Sequence, residues 1–390
     1  MGRKARVISR RIEGTLRARY PANMSPGHTT RTIPRALRRA AAAVAGPLLA
    51  VVVFCVAGEI VARSFGVVDR LNGYNRILFA PGPTPRIPYV LRNDVRTTQF
   101  GVPVQVNALG MRGPDVASRP APGVRRVLLL GDSVVFGQGI RGDTLSELLA
   151  RDLNMAGDQR WEVLNAGVPG YNLLAEAAAL EDRWLAVAPD VVVVGISLND
   201  FGPTPRFSPL NLLTLEEHTS LVERSELLVL LRWLIGWSRG TLPILALKDA
   251  EGTAAKRGAP TAADPAAAGL IDLARQIHLG FYRAPEPTGM ARLRDGLLAL
   301  RQITAKARLP LLAAIFPESY QVGVPEPDLT PQRVLRSLCD EVGVRCLDLQ
   351  PPFATANGGL FLDAGHPNEA GVAVAAHALA QALLIPPSAP

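Results

Sequence analysis

The chain reads as an α/β protein built on a parallel sheet and preceded by one membrane helix, and three observations predict this. Short apolar runs at 126–130, 161–165, 190–196, 310–316 and 344–349 alternate with stretches of helical periodicity, the βαβ rhythm that packs as a parallel sheet with right-handed crossovers. Apolar residues make up 48% of the 390 positions and aromatics only 5%, which fits an Ala/Leu/Val-packed α/β core. An uncharged apolar run of 18 residues, Ala40–Ala57, follows a dense basic tail.

The tail accounts for the charge. Residues 1–39 hold 11 Lys/Arg and one acid, Glu13, whereas the remainder holds 31 basic against 33 acidic residues and is close to neutral. Basic residues crowded ahead of a hydrophobic span, with only Arg63 and Arg70 soon after it, predict a cytoplasmic N-terminus and an extracytoplasmic body. The same position argues against nucleic acid as the partner of the tail. The expected layout is a basic cytoplasmic tail at 1–39, a transmembrane helix or signal anchor at 40–62, and a connecting region at 63–124 that packs on the main domain. The main domain follows at 125–388, with an insertion at 203–289. Pro47 is tolerable within a membrane helix. The uncleaved anchor is preferred because the apolar stretch exceeds a usual signal h-region and no sharp small-x-small site follows it. The competing reading starts at Met24 and releases a secreted body after cleavage. Phe54 ahead of Cys55 argues against lipid attachment.

Within the connecting region Val102–Gly113 predicts a strand or hairpin. Arg126–Leu130 reads as the first buried strand and Asp143–Leu153 as a helix with Asp143 as N-cap. Trp161–Asn165 is the second strand, Leu173–Val187 a helix ending before Pro189, and Asp190–Ile196 a third strand buried on both faces. From 202 to 289 the rhythm breaks. That stretch holds an apolar helix candidate, Glu226–Trp237, which could face the core, brush a membrane surface or act as a lid, and an Ala/Pro/Gly-rich segment at Gly252–Ala268. The pattern resumes with helix Met290–Ala307, strand Pro310–Phe316, helix Pro331–Val342, strand Val344–Leu349 and helix Asn368–Leu384. Cys339 and Cys346, seven positions apart across a helix-to-strand turn, could pair in an oxidising compartment or remain two buried thiols.

Chemistry gathers at strand ends. Gly131-Asp132-Ser133 follows the first strand, Ser197-Leu198-Asn199-Asp200 the third, and Asp363-Ala364-Gly365-His366 precedes the last helix. In open α/β sheets ligands bind outside the carboxyl ends of the strands. A serine hydroxyl needs a base to take its proton, and His366 is the candidate, with Asp363 three residues earlier to hold its other ring nitrogen. Attack on a carbonyl builds an oxyanion that needs preorganised donors. The Ser133 N–H, the Gly170 N–H within Asn165–Asn172 and the Asn199 amide are the candidates. Each has a plain alternative: a helix N-cap for Ser133 and turns for Gly170 and Asn199. His28, His218, His278 and His377 default to surface or satisfied core histidines. No cluster has metal-ligand spacing.

With these motifs in hand, Arg125–Leu384 resembles the SGNH/GDSL hydrolase family, with gaps at the insertion. The resemblance implies a flavodoxin-like three-layer α/β/α sandwich, no cofactor and no metal. It also implies hydrolysis of esters or thioesters, frequently O-acyl groups on carbohydrate, through catalytic Ser133, His366 and Asp363 with an oxyanion hole of Ser133, Gly170 and Asn199. Val134 stands where the family name has leucine, and Leu198 replaces the glycine that often precedes the asparagine, so the groove beside Asn199 is expected to be narrower or more apolar. The anchored topology and Asn107–Gly113 resemble membrane-tethered bacterial members. In the alginate-acetylation branch the Asp-His pair precedes the serine, and here it follows. The expected function is a serine esterase at the cell envelope acting on small-molecule or glycan acyl esters, acetyl-type. The alternatives are an O-acyltransferase using the same residues and a catalytically silent binding module of the same fold.

Overall fold

The structure, a computed structural model, describes residues 35–65, 78–99, 102–207, 213–214, 225–238, 265–356 and 358–385. The basic tail up to residue 34, with Met24 and His28, lies outside the described residues, as do His218 and most of Gly252–Ala268. The chain divides into two compact units, Met1–Ala57 and Gly58–Pro390. Helix α1, Arg35–Ser64, begins in the first and ends in the second, with Pro47 inside it. Its part Ala43–Ser64 holds an 18-residue window with a mean hydropathy of 2.3 and none of that window buried, and Ala62 near its end is buried. At ~1.5 Å per residue such a length is sufficient to cross a hydrocarbon core of roughly 30 Å.

The second unit opens with two antiparallel hairpins. Strands β1 (Phe79–Thr84) and β2 (Ile87–Leu91) form one, and β3 (Val95–Gln99) and β4 (Val102–Val106) the other. The sequence predicts a strand or hairpin only at 102–113, and Pro81, Pro83, Pro85 and Pro88 disguise the first pair. Its inward residues Phe79, Ile87, Tyr89 and Leu91 are nonetheless buried. Arg112 then bridges both Val106 and Asn165, tying this region to the edge of the main sheet.

The main sheet is parallel, with β5 (Val124–Leu130), β6 (Arg160–Asn165), β7 (Val191–Ile196), β10 (Leu311–Ile315) and β11 (Arg345–Asp348) in the spatial order β11-β10-β7-β5-β6. A two-residue ladder, β8 (Arg206–Phe207) with β9 (Leu213–Thr214), sits apart from it. Side chains alternate between two faces, as the pleat requires. Leu128, Leu130, Val192, Val194, Ile196, Ala313 and Ile315 join one buried cluster, while Val127, Leu129, Val191, Val193, Leu312 and Ala314 join the other.

Helices complete a three-layer α/β/α sandwich. The short α2 (Ser133–Phe136) and α3 (Leu145–Met155) follow β5, and α4 (Leu173–Asp182) follows β6. Next come α5 (Glu226–Ser238), α6 (Pro265–Arg283) and α7 (Pro287–Ala307), then α8 (Thr330–Val342), α9 (Gln350–Thr355) and α10 (Glu369–Leu384). Buried residues of α4, α7 and α8 belong to the first cluster, and those of α3, α9 and α10 to the second.

Several boundaries correct the sequence reading. Helix α3 starts after Thr144: the Glu147 carboxylate accepts from the Thr144 N–H at 2.7 Å and its hydroxyl at 2.8 Å, while Asp143 pairs instead with Arg151. The expected single helix at 173–187 stops at Asp182 and continues as a 3₁₀ turn, Trp184–Val187, closed by Ala188 at φ 50°. A residue before proline is disfavoured in the right-handed helical region, and Pro189 follows. The rhythm also returns earlier than expected, since α6 occupies the last third of the 203–289 insertion. Of the alternatives for Glu226–Trp237, the structure leaves Leu228, Leu231, Leu234 and Ile235 exposed, and its first amides are capped by the Glu59 carboxylate, which accepts from Leu227 N–H at 2.9 Å and Glu226 N–H at 3.1 Å. Cys339 and Cys346 are joined as a disulfide, with Cα atoms 6.2 Å apart.

Candidate active site

Strand β5 ends in Gly131, whose φ of 157° and proximity to Val135 leave no space for a side chain: an added Cβ would lie 2.3 Å from a Val135 methyl. The chain can therefore turn sharply into α2. Asp132 caps that helix, accepting from the Val134 N–H at 2.9 Å and from the Ser197 hydroxyl at 2.9 Å. One carboxylate thus ties the end of β5 to the end of β7 and holds Ser133 at the first helical position. Arg112 supports α2 from behind, donating to the Gly137 carbonyl at 2.8 Å and covering the Phe136 ring at 4.6 Å. Burial lowers the Arg112 pKa to about 10.

Across the sheet rim, the loop 363–366 folds on its own carboxylate. Asp363 Oδ1 accepts from the Gly365 N–H at 2.9 Å and the His366 N–H at 2.8 Å, and its Oδ2 stands 2.7 Å from His366 Nδ1. Asn368 caps α10 immediately after, accepting from Ala370 and Gly371. His366 Nε2 then lies 2.8 Å from Ser133 Oγ, 233 positions away in sequence. Burial alone would raise the Asp363 pKa, but the facing His366 charge and the ring and backbone hydrogen bonds outweigh it, and the net direction is down. A carboxylate that stays ionised fixes Nδ1 as donor and leaves the Nε2 lone pair for the serine proton.

These groups line a cleft of about 220 Å³ together with Ser197, Leu198, Asn199, Ala274, His278, Phe316, Pro317 and Glu318. The Asn199 side chain is exposed there. Gly170 is different. It lies exposed in the turn after β6 at φ 84°, backed by the Tyr89 hydroxyl and Pro205, and is not among the residues lining the cleft. So the structure brings Ser133, His366, Asp363 and Asn199 together and leaves Gly170 at the adjoining turn. Leu198, beside Asn199, is buried and lines the cleft, as does the buried Phe316.

Three buried carboxyls sit beneath the rim. Burial raises the Asp132 pKa, partly offset by the Val134 amide, the His366 charge and the Ser197 hydroxyl. Burial, and then the neighbouring Asp132 charge, push Glu176 well above the ordinary carboxyl range, and Asp200 rises for the same first reason with Glu176 and Asp132 nearby. Neither Glu176 oxygen has a hydrogen-bond partner. Sequence reasoning assigns no role to Asp132, Ser197 or Arg112, which position Ser133, and it leaves His278 at the default of a surface or satisfied core histidine. His278 lines the cleft, whereas His377 is the surface residue expected, with its side chain 67% exposed. The missed signal for His278 is a carboxylate forty positions later, which no local motif reveals. Among the described residues no group of three or more His, Cys, Asp or Glu could hold a metal ion.

The model of the GDSL-like lipase/acylhydrolase family matches residues 129–374, more than half of the chain and all of the motifs above. The chain belongs to this family. It is accordingly an ester-hydrolysing enzyme with the SGNH hydrolase fold. Solved structures similar to it include an acetyl xylan esterase, AlAXEase (17% identity, covering 66% of this chain and 99% of that one, TM-score 0.39). Another is a catalytic mutant of an acetylxylan esterase from Geobacillus stearothermophilus (17% identity, 66% and 93% coverage, TM-score 0.37). A third is the lipase/acylhydrolase from Enterococcus faecalis (14% identity, 68% and 100% coverage, TM-score 0.37). Curated proteins yield no match.

Proposed function

We propose that this esterase cleaves acetyl-type O-acyl esters through an acyl-Ser133 intermediate at the cell envelope, with carbohydrate as the alcohol part. The observation that carries the reading is the continuous path Asp363 Oδ2, His366 Nδ1, His366 Nε2, Ser133 Oγ, with steps of 2.7 and 2.8 Å. His366 takes the hydroxyl proton as Ser133 Oγ bonds to the acyl carbon, and Asp363 steadies the imidazolium that results. The Ser133 N–H and the Asn199 amide, with the Gly170 N–H from the adjoining turn, hold the negative oxygen. Collapse breaks the bond to the alcohol oxygen, which leaves with the proton from Nε2. Water then reverses the sequence: Nε2 takes its proton, hydroxide oxygen bonds to the acyl carbon, and Ser133 regains its hydrogen as the acid departs.

Supporting the envelope part of the reading are the apolar helix α1 and the basic residues ahead of it, which favour an anchored protein with a cytoplasmic N-terminus and an extracytoplasmic body. Ser133→Ala tests the chemistry. Turnover of p-nitrophenyl acetate should fall by about 10³-fold or more with the fold unchanged by circular dichroism. Retention of more than a tenth of the wild-type rate would sink the proposal.

A further inference from the structure

The cleft that holds Ser133 carries a second acid–histidine pair that the acyl-serine chemistry leaves unused. His278 Nδ1 lies 2.7 Å from Glu318 Oε1. The histidine projects from α6, in the insertion, and the glutamate from the segment after β10. Both line the cleft. Glu318 is held hard against the loop that carries the base: its Oε1 is 3.6 Å from where a Gly365 Cβ would stand, and the Ser319 N–H donates to the Ala364 carbonyl at 2.8 Å. Its own N–H donates to Gln321 at 3.1 Å, and it is only 5% exposed, with Oε2 making no hydrogen bond. The Phe201 ring packs against the imidazole in a T-shaped arrangement, 6.0 Å between centroids. The ring is therefore held by the carboxylate at Nδ1 and by the neighbouring phenyl ring.

That arrangement decides what His278 can offer. A carboxylate only accepts, so Nδ1–H donates to Glu318, which is the tautomer whose Nε2 carries the lone pair. No described residue hydrogen-bonds that nitrogen. A core histidine would have a partner there, and a surface histidine would not be held by a buried carboxylate lining the cleft. An oriented acceptor in the cleft of an ester-cleaving serine suits a hydrogen-bond donor, and the donors that the alcohol part of a polyol or sugar ester brings are its free hydroxyls.

We propose that His278, oriented by Glu318, forms an alcohol subsite: its Nε2 accepts a hydrogen bond from a free hydroxyl next to the acylated oxygen of a polyol or sugar. The proposal rests on the acyl-Ser133 reading and adds the chemistry that selects the alcohol. His278 contacts substrate. Glu318 acts through it, as a positioning residue.

The test compares two esters in the full-length protein: a mono-O-acetyl methyl glycoside with its other hydroxyls free, and the same compound with those hydroxyls O-methylated. The wild type should favour the hydroxylated ester about tenfold in kcat/KM, the size expected for one hydrogen bond to an oriented partner. In His278→Phe the ratio should fall to near one. His278→Gln, which returns a polar atom to about the reach of Nε2, should recover part of it. Glu318→Gln should lower the ratio through KM rather than kcat. A ratio near one in a wild type whose Ser133 reacts with a fluorophosphonate overturns the subsite and leaves the acyl-serine reading standing. A ratio that His278→Phe does not move overturns it equally. A wild type that no fluorophosphonate labels overturns both.

Discussion

His366 and His278 each present Nδ1 to a carboxylate 2.7 Å away, Asp363 for one and Glu318 for the other, yet only His366 has a serine hydroxyl at Nε2. The two rings line one cleft and are exposed to similar degrees, 21% and 16% of their side chains. Their roles separate on surroundings rather than on residue type. Asp363 satisfies two backbone amides of its own loop as well as the ring, so its net charge is stabilised despite burial. Glu318 has one oxygen on the ring and one without a partner. A base that must gain and lose a proton on each turnover needs the first arrangement. A ring that only receives a hydroxyl can manage with the second.

The largest effect that can break this comparison is His366→Ala, expected to lower kcat on p-nitrophenyl acetate by about 10³–10⁶-fold. Steady-state kinetics on a variant whose melting temperature matches wild type would check it, and a loss under tenfold would make the two histidines equivalent. Asp363→Asn comes next. It keeps the shape but releases the tautomer, for an expected loss of about 10²–10⁴-fold in kcat with KM little altered. Glu318→Gln should be far milder. On the hydroxylated glycoside we expect KM to rise about threefold, whereas a loss in kcat as large as that of Asp363→Asn would show that the second pair shares the chemistry.

The smallest effect concerns a buried carboxyl that meets no histidine. Glu176 has its pKa raised by burial and by the nearby Asp132 charge, so the folded state holds its proton more tightly than the unfolded chain does. Its contribution to stability is therefore greatest below the ordinary carboxyl range near 4.3 and erodes as pH climbs from there toward the raised value. Glu176→Gln removes that erosion. Melting curves between pH 5 and pH 8 should fall less steeply with pH in the variant, and at pH 8 it should melt higher than wild type, by roughly 2–4 °C for each kcal/mol regained. A variant that melts lower throughout would mean that the carboxyl is paired and ionised.

How far the sequence could be read follows the same division. The convergence of Ser133, Asp363 and His366 at one rim was legible because they sit in short motifs at strand ends, where an open sheet places its ligands. The five strands of the sheet were legible from β-branched apolar runs such as Val191–Ile196, buried on both faces. The hairpin Phe79–Leu91 was not, since its prolines mask a pattern that becomes clear only when Tyr89 and Phe79 stack edge to face at 5.7 Å. Helix α6 was hidden behind an Ala/Pro/Gly-rich stretch that suppresses the helical period. His278 was illegible for a different reason. Its partner comes from another strand end, and a lone histidine on a helix carries no local sign of the carboxylate that orients it.

The central claim is that Ser133 is the residue that takes the acyl group. Intact-protein mass spectrometry after exposure to a fluorophosphonate, followed by peptide mapping, tests it most directly. The account predicts one adduct, on Ser133, absent from Ser133→Ala and strongly slowed in His366→Ala. An active wild-type preparation that carries no adduct, or carries it on another side chain such as Ser197, would contradict it.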